Sequence, residues 1–411
     1  MVRRALTAIL WLSLFGAPCP TQAADAAFQK WLETIWPQAG AQPYAISRAT
    51  FDKATRDLEP DLKLPDLDLP GRPITGAAQA EFVQTPAEYL KESSFDRLAT
   101  QARKLLDRHR ETLTKIEQQF GVPPGIVLAI WGRETAFGAA KMPYDAVRAL
   151  ATQAYIGRRK DFFLNEFLFA LKILHEGHVT RADLRSSWAG AMGHAQILPS
   201  GFYNYAVDLD GDGKRDIWNS VPDALATLAN HLVKDGWQRG KRWAYEVRVP
   251  KDVDCTIAEP SVTLPLGEWL KRGYVLAGGR KLSPAEAGDL ASLLMPAGLY
   301  GPAFLAPKNY FVLKEYNFSD LYVLFVGHLS DRITDPRPFE KPWDEVKQLK
   351  STQLEAMQKR MTELGIYRDK VDGKAGMLTR AALGAYQKQN GLTLDCWPTA
   401  AVLDHMLTRR R

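Results

Sequence analysis

Pro123 and Pro124 lead into a largely apolar stretch, residues 125–138, that carries a single carboxylate, Glu134, and closes on Gly138. Proline is tolerated in the first turn of a helix and glycine favours its end, so these residues mark the borders of a helix. On that helix Ile126, Ile130 and Glu134 stand at i, i+4 and i+8. Glu134 therefore prolongs a stripe built from two isoleucines, close to Val127, Trp131 and Phe137. A carboxyl group in such surroundings is disfavoured as an anion, and its pKa is expected to rise. That property suits a general acid. A structural ion pair is the alternative, although the adjacent Arg133 does not face Glu134 on a helix. Periodicity leaves both readings open.

The remaining pattern is mostly helical. A chain of 411 residues with 46% hydrophobic residues and 11 Trp, 14 Tyr and 17 Phe carries enough apolar mass for two or three globular domains. Residues 26–36, 95–120, 161–174 and 222–234 show helical spacing, and Gly121 closes the second of these. Pro60, Pro65, Pro70 and Pro73 make 59–73 a loop. Tyr245, Val247 and Val249 alternate with Glu246 and Arg248, which predicts a strand, and the run 310–313 is a second strand candidate. Pro336, Pro338 and Pro342 mark a linker, and 352–407 reads as a compact helical unit. The expected fold is thus mainly α with a small β element, followed by a separate helical module.

Arg3 and Arg4 followed by an apolar run over 5–15 and by small residues at Thr21, Ala23 and Ala24 form a secretory signal, expected at 1–24. The run is too short to serve as a mature membrane span. Cys19 follows Pro18, and Gly16 stands where a lipoprotein signal carries a bulky aliphatic, so lipid anchoring is not expected. Losing Arg3 and Arg4 lowers the net charge from +6 to +4, a mildly basic balance that suits an anionic partner without specifying one. Cys255 and Cys396 fit no metal spacing. Export permits a disulfide between them; two separately buried thiols are the simpler expectation.

Two further segments carry chemistry. Residues 186–200 are dense in Gly and Ala, which allows close backbone approach to a helix or a ligand, with Ser187 and Gln196 as hydrogen-bonding groups. Asp208, Asp210 and Asp212 with Gly213 match the opening of an EF-hand-type calcium loop, in which a hard cation gathers several oxygens around a sharp turn. Lys214 can offer its backbone carbonyl. Asn219 occupies the place of the usual late glutamate, and Asp223 is the candidate replacement.

Taken together, these segments resemble the B-type family of lytic murein transglycosylases over residues 28–332. The matching motifs are Glu134 to Gly138, Ser187 to Ser200 and the acidic loop from Asp208 to Asp212. The resemblance implies a lysozyme-like domain over 25–334, with Glu134 as the single catalytic acid/base. Ser187 would orient its carboxylate and Gln196 would contact sugar. Tyr155, Arg158 and Arg159, in a Tyr-x-Gly-Arg-Arg segment, would lie along the substrate groove, and Tyr310 and Tyr316 would close it. Asp208, Asp210, Asp212, Lys214 and Asp223 would hold a structural calcium, although this chain has one extra residue before Asp223. No cofactor is required for the chemistry.

After a linker at 335–346, residues 347–411 resemble the common peptidoglycan-binding domain 1, a three-helix bundle. Leu354 to Gln358, Val371-Asp-Gly373 and Tyr386-Gln387 carry that likeness, and Cys396 replaces an expected glycine. Such a module would tether the enzyme to the wall and raise local substrate concentration. The implied reaction cuts peptidoglycan glycan strands in the periplasm and forms 1,6-anhydromuramoyl ends. Wall-synthesis proteins are the implied partners, not nucleic acid. A non-catalytic wall-binding scaffold and a lysozyme-type hydrolase of the same fold are the competing readings.

Overall fold

The computed structural model describes residues 26–71, 84–258 and 262–408. The secretory signal expected at 1–24 lies outside them. Among the described residues, no helix is long and apolar enough to cross a membrane.

The N-terminal body is helical. Its elements are α1 (Ala26–Gly40), α2 (Arg48–Thr55), α3 (Glu92–Arg108), α4 (Arg110–Phe120), α5 (Pro124–Thr135), α6 (Ala146–Ile156), α7 (Lys160–His175), α8 (Val221–Lys234), α9 (Lys308–Tyr316) and α10 (Asp320–Thr334). The periodic stretch 95–120 divides into α3 and α4 at His109, whose φ of −108° and ψ of 24° leave the helical region. On α3, Phe95, Leu98, Ala99, Ala102 and Leu105 are buried at three- and four-residue steps, the stripe that presses it on the core. In α5, by contrast, every residue from Ile126 to Gly132 is buried, so this helix runs through the body rather than over it.

A five-stranded antiparallel sheet is inserted between α8 and α9. Its strands are β1 (Tyr245–Arg248), β2 (Thr263–Pro265), β3 (Val275–Leu276), β4 (Leu290–Leu294) and β5 (Ala303–Pro307), in the order β2-β4-β5-β1-β3. Leu305 pairs with Tyr245 on one side and Leu293 on the other, which sets the central register. The sheet has its own core around Leu266, Trp269, Tyr274 and Leu293. The strand expected at 310–313 is instead part of α9. A four-residue apolar run fits a buried helix as well as a strand. Here Asn309, Tyr310, Val312 and Leu313 are buried together on a helix with contacts on several sides.

Three helices follow: α11 (Ser351–Glu363), α12 (Met377–Gln389) and α13 (Ala400–Thr408). Two buried glutamines explain their loops. Gln358 Oε1 accepts from the Asp372 and Gly373 amides at 3.0 and 2.9 Å, while its Nε2 donates to Asp372 Oδ1 at 2.9 Å. Gln387 repeats the device, donating to Asp395 Oδ1 at 2.6 Å and accepting from the Cys396 amide at 2.9 Å.

The module is docked on the body. Cys255 and Cys396, expected as separate thiols, form a disulfide that joins the sheet to the loop before α13. The fold brings their Cα atoms to 6.2 Å, within bridging range. Arg380 of α12 pairs with Asp320 of α10 at 2.9 Å, both nearly buried. Burial would raise the Asp320 pKa, but the ammonium of Lys314 and the guanidinium of Arg380 outweigh it and hold the carboxyl well below the usual range. The intervening segment also packs. Phe339 stacks on His328 at 3.7 Å, and the Glu340 and Lys341 amides both donate to Glu246 at 3.0 Å.

Candidate active site

Glu134 stands half-buried in the last turn of α5, where the helix macrodipole opposes negative charge. Three consecutive residues then turn left-handed: Ala136 (φ 48°), Phe137 (φ 59°) and Gly138 (φ 82°). Only glycine adopts this region freely, so the turn stores strain at the site. Its contacts hold it. Thr135 Oγ1 accepts from the Gly138 amide at 3.1 Å, and Phe137 folds back over Gly132, where a Cβ would stand 2.6 Å from the ring. Gly138 lies against His194, and a Cβ there would meet the imidazole at 2.2 Å. This explains why the segment after Glu134 needs threonine, an aromatic ring and glycine in that order.

The partner of Glu134 comes from α10. Tyr322 donates its hydroxyl to Glu134 Oε1 at 2.5 Å. The Tyr316 ring lies parallel to that of Tyr322, with centroids 6.2 Å apart and planes 10° apart. Burial first, and the charge of Glu134 second, push both phenols well above their usual pKa, so both remain protonated donors. Tyr316 spends its proton on the Ala195 carbonyl. The neighbouring Arg133 donates to the Tyr89 hydroxyl at 2.6 and 3.0 Å.

The Gly/Ala segment folds between α5 and the acidic loop. Ser187 Oγ accepts from the Ala191 amide at 3.1 Å, a bond that shapes its own turn. Gln196 has φ 49° and donates to Gly193 O at 2.8 Å. Gly193 passes so near Ile217 that a Cβ would lie 2.5 Å from its carbonyl. His194 joins three elements: its Nδ1 accepts from the Trp131 indole at 2.9 Å, and its amide donates to Ile217 O at 2.9 Å. Burial lowers its pKa, which keeps that acceptor unprotonated.

In the acidic loop, carboxylate oxygens of Asp208, Asp210 and Asp212 converge within 4.8 Å of one another. Asp208 accepts from the Gly211 and Gly213 amides at 2.6 and 2.9 Å, and Asp212 accepts from the Lys214 amide at 2.8 Å. Asp223, expected as a fourth carboxylate ligand, is instead buried beneath the loop. It accepts from the amides of Leu209 and Asp216 at 2.8 and 2.9 Å, and burial raises its pKa.

The other expected groove residues have partners of their own. Tyr155 packs between Phe28 and Trp31, with ring centroids 5.1 Å from each. Arg158 pairs with Asp66, and Arg159 lies over Phe162 and Phe163. Tyr310 is 1% exposed and donates to Asp320 at 2.8 Å. Tyr322 was not singled out by sequence reasoning. Tyr322 sits within an apolar run, and nothing local distinguishes its hydroxyl.

The transglycosylase SLT domain matches residues 27–331. The chain belongs to the transglycosylase SLT family. The peptidoglycan-binding domain family matches residues 350–406. Over 232 residues the chain is 29% identical to membrane-bound lytic murein transglycosylase B of Escherichia coli K12, covering 55% of this chain and 61% of that relative. The chain therefore spans less than two thirds of that relative's length. The structure of SltB3 from Pseudomonas aeruginosa in complex with NAG-anhNAM-pentapeptide superposes with a TM-score of 0.82 at 37% identity, covering 93% of this chain and 99% of SltB3. Slt35 of Escherichia coli, in complex with calcium, shares the fold at 24% identity and a TM-score of 0.51, over 62% of this chain and 81% of Slt35.

Proposed function

We propose that the chain is a lytic murein transglycosylase that cleaves the β-1,4 bond between N-acetylmuramic acid and N-acetylglucosamine, with Glu134 as its only acid and base. The observation that carries this reading is a half-buried carboxyl in the last turn of α5, Glu134, whose Oε1 accepts from a phenol, Tyr322. Hydrolases of this type normally use two carboxylates. The acids of the adjoining loop are engaged with backbone amides of that loop. A single carboxyl suffices when the substrate supplies the nucleophile. Glu134 gives its proton to the glycosidic oxygen as the C1–O bond breaks. The carboxylate, still hydrogen-bonded by Tyr322, then takes the proton from the muramic C6 hydroxyl as that oxygen bonds to C1. Glu134 is restored, no water is consumed, and the product carries a 1,6-anhydro ring. The SltB3 complex with an anhydro-sugar ligand supports the same reading.

Digestion of purified glycan strands tests it by product mass. The expected fragments are lighter by one water than hydrolysis products, and Glu134→Gln releases none. Reducing-end fragments would make the chain a hydrolase, and undiminished release by Glu134→Gln would sink the mechanism.

The acidic loop would hold a calcium ion through Asp208, Asp210 and Asp212, whose convergent oxygens fit a hard cation. The ion would neutralise three clustered charges and stiffen the loop that His194 ties to α5. Residues 350–406 would bind peptidoglycan, and the N-terminal leader would direct export to the periplasm.

A further inference from the structure

Behind the two tyrosines of the site lies His231, on α8. Its ring stacks on Tyr205, with centroids 3.7 Å and planes 18° apart, and on its other flank meets Tyr316 at 4.7 Å and 44°. Tyr316 in turn lies parallel to Tyr322, whose hydroxyl is on Glu134. Four rings from α10, α9, α8 and the short helix Pro199–Tyr205 thus form one column that ends on the proposed catalytic carboxyl.

We propose that His231 is a positioning residue for the reaction: its ring fixes Tyr316, and through Tyr316 the direction from which Tyr322 reaches Glu134. The inference rests on the proposed role of Glu134. Three features argue that the ring serves as a flat spacer rather than a proton carrier. Its Nδ1 is buried and meets no hydrogen-bonding side chain or backbone group among the described residues. Its Nε2 stands 3.3 Å from Asp235, itself held in its protonated form to higher pH by burial and by the charge of Glu315. Burial lowers the imidazole pKa to about 4, so the ring is neutral near pH 7. A neutral aromatic plane between two phenols transmits position by contact. Removing it opens space behind Tyr316, which also carries the hydroxyl that holds the Ala195 carbonyl. Small displacements of a catalytic group are costly in rate even when binding persists.

The test is a double-mutant cycle on purified glycan strands. His231→Leu is expected to lower kcat about tenfold with KM within about twofold, the split that misorientation of a catalytic group produces. His231→Phe, which restores the plane, is expected to return kcat to near the wild-type value. In a Tyr316→Leu background, His231→Leu is expected to cost little further kcat, because the column is already broken. A lowered melting temperature with unchanged kcat would overturn the proposal, as would equal losses with and without Tyr316. If His231→Leu does not fold, His231→Gln, which removes the ring but keeps a polar chain, is read in the same way. Wild-type release of anhydro products in the same assay separates this outcome from failure of the reading on which it rests.

Discussion

The hydroxyl of Tyr322 donates to Glu134 Oε1 across 188 residues of chain, at 2.5 Å. In the proposed mechanism, a donor placed there would serve the ionised carboxylate that forms between the two proton transfers. Tyr322→Phe keeps the ring and its stacking on Tyr316 but removes that donor. Loss of one preorganised donor at a reacting charge lowers kcat about 10²-fold. Initial rates of anhydro-product release should show this with little change in melting temperature. An unchanged kcat would remove Tyr322 from the machinery.

The acidic loop makes a separable prediction. Added calcium should raise the melting temperature of the wild type, and chelator should reverse it. Asp212→Ala should abolish that response, since Asp212 contributes an oxygen to the cluster. Asp223→Ala should behave differently. It leaves two buried amides, those of Leu209 and Asp216, without acceptors. Each costs about 1–3 kcal/mol. Asp223→Ala should therefore lose stability with and without calcium, and a loss confined to calcium-loaded protein would return Asp223 to the ligand set.

The disulfide is expected to contribute measurably to stability. It closes a loop across 141 residues. Chain-entropy reasoning gives about 4–5 kcal/mol for a loop of that order, with strain able to reduce it. Cys396→Ser should lower the denaturant midpoint accordingly, and reducing agent should lower the wild type to the same level. Coincident midpoints for oxidised and reduced wild type would show that the bridge adds nothing.

Acid should destabilise the body through buried histidines. Burial, followed by the charge of Arg332, lowers the His328 pKa to about 3, and burial takes His231 to about 4. In the unfolded chain both titrate near 6.5. Between these values the unfolded state binds more protons, so stability rises with pH and this contribution is complete above about pH 6.5. Each such group adds a slope of about 1.4 kcal/mol per pH unit inside its window. Some buried acids, including Asp223 and Asp331, titrate in the opposite sense. The comparison with His328→Phe isolates the histidine: the variant's stability should fall less steeply between pH 6 and pH 4. Parallel curves would falsify the assignment.

Much of the helical body was legible because its signals are local. Pro124 opens α5, and amphipathic spacing marks α3 and α8. What escaped the sequence depends on partners distant in the chain. Residues 310–313 were ambiguous because a short apolar run lacks a period, and burial by several neighbours decided for a helix. Ala136 and Phe137 gave no sign of left-handed backbone, since neither residue type favours it. The Cys255–Cys396 bridge, the descent of Asp223 beneath its loop and the reach of Tyr322 all follow from tertiary placement. Glu134 itself was readable as an apolar-face carboxyl, but the phenol that holds it was not.

The seam between sheet and module, with its disulfide and its Arg380–Asp320 pair, has a metric consequence. A grip on a loose leash would present many bonds of a held strand to the cutting residue, weighted by the statistics of the leash. A grip bolted to the same frame as Glu134 would work as a calliper. If the proposed function holds, the bond offered for cleavage on a strand held by the module would stand at a set number of sugars from the point of hold, and the stride of the enzyme along the wall would become a property of its frame.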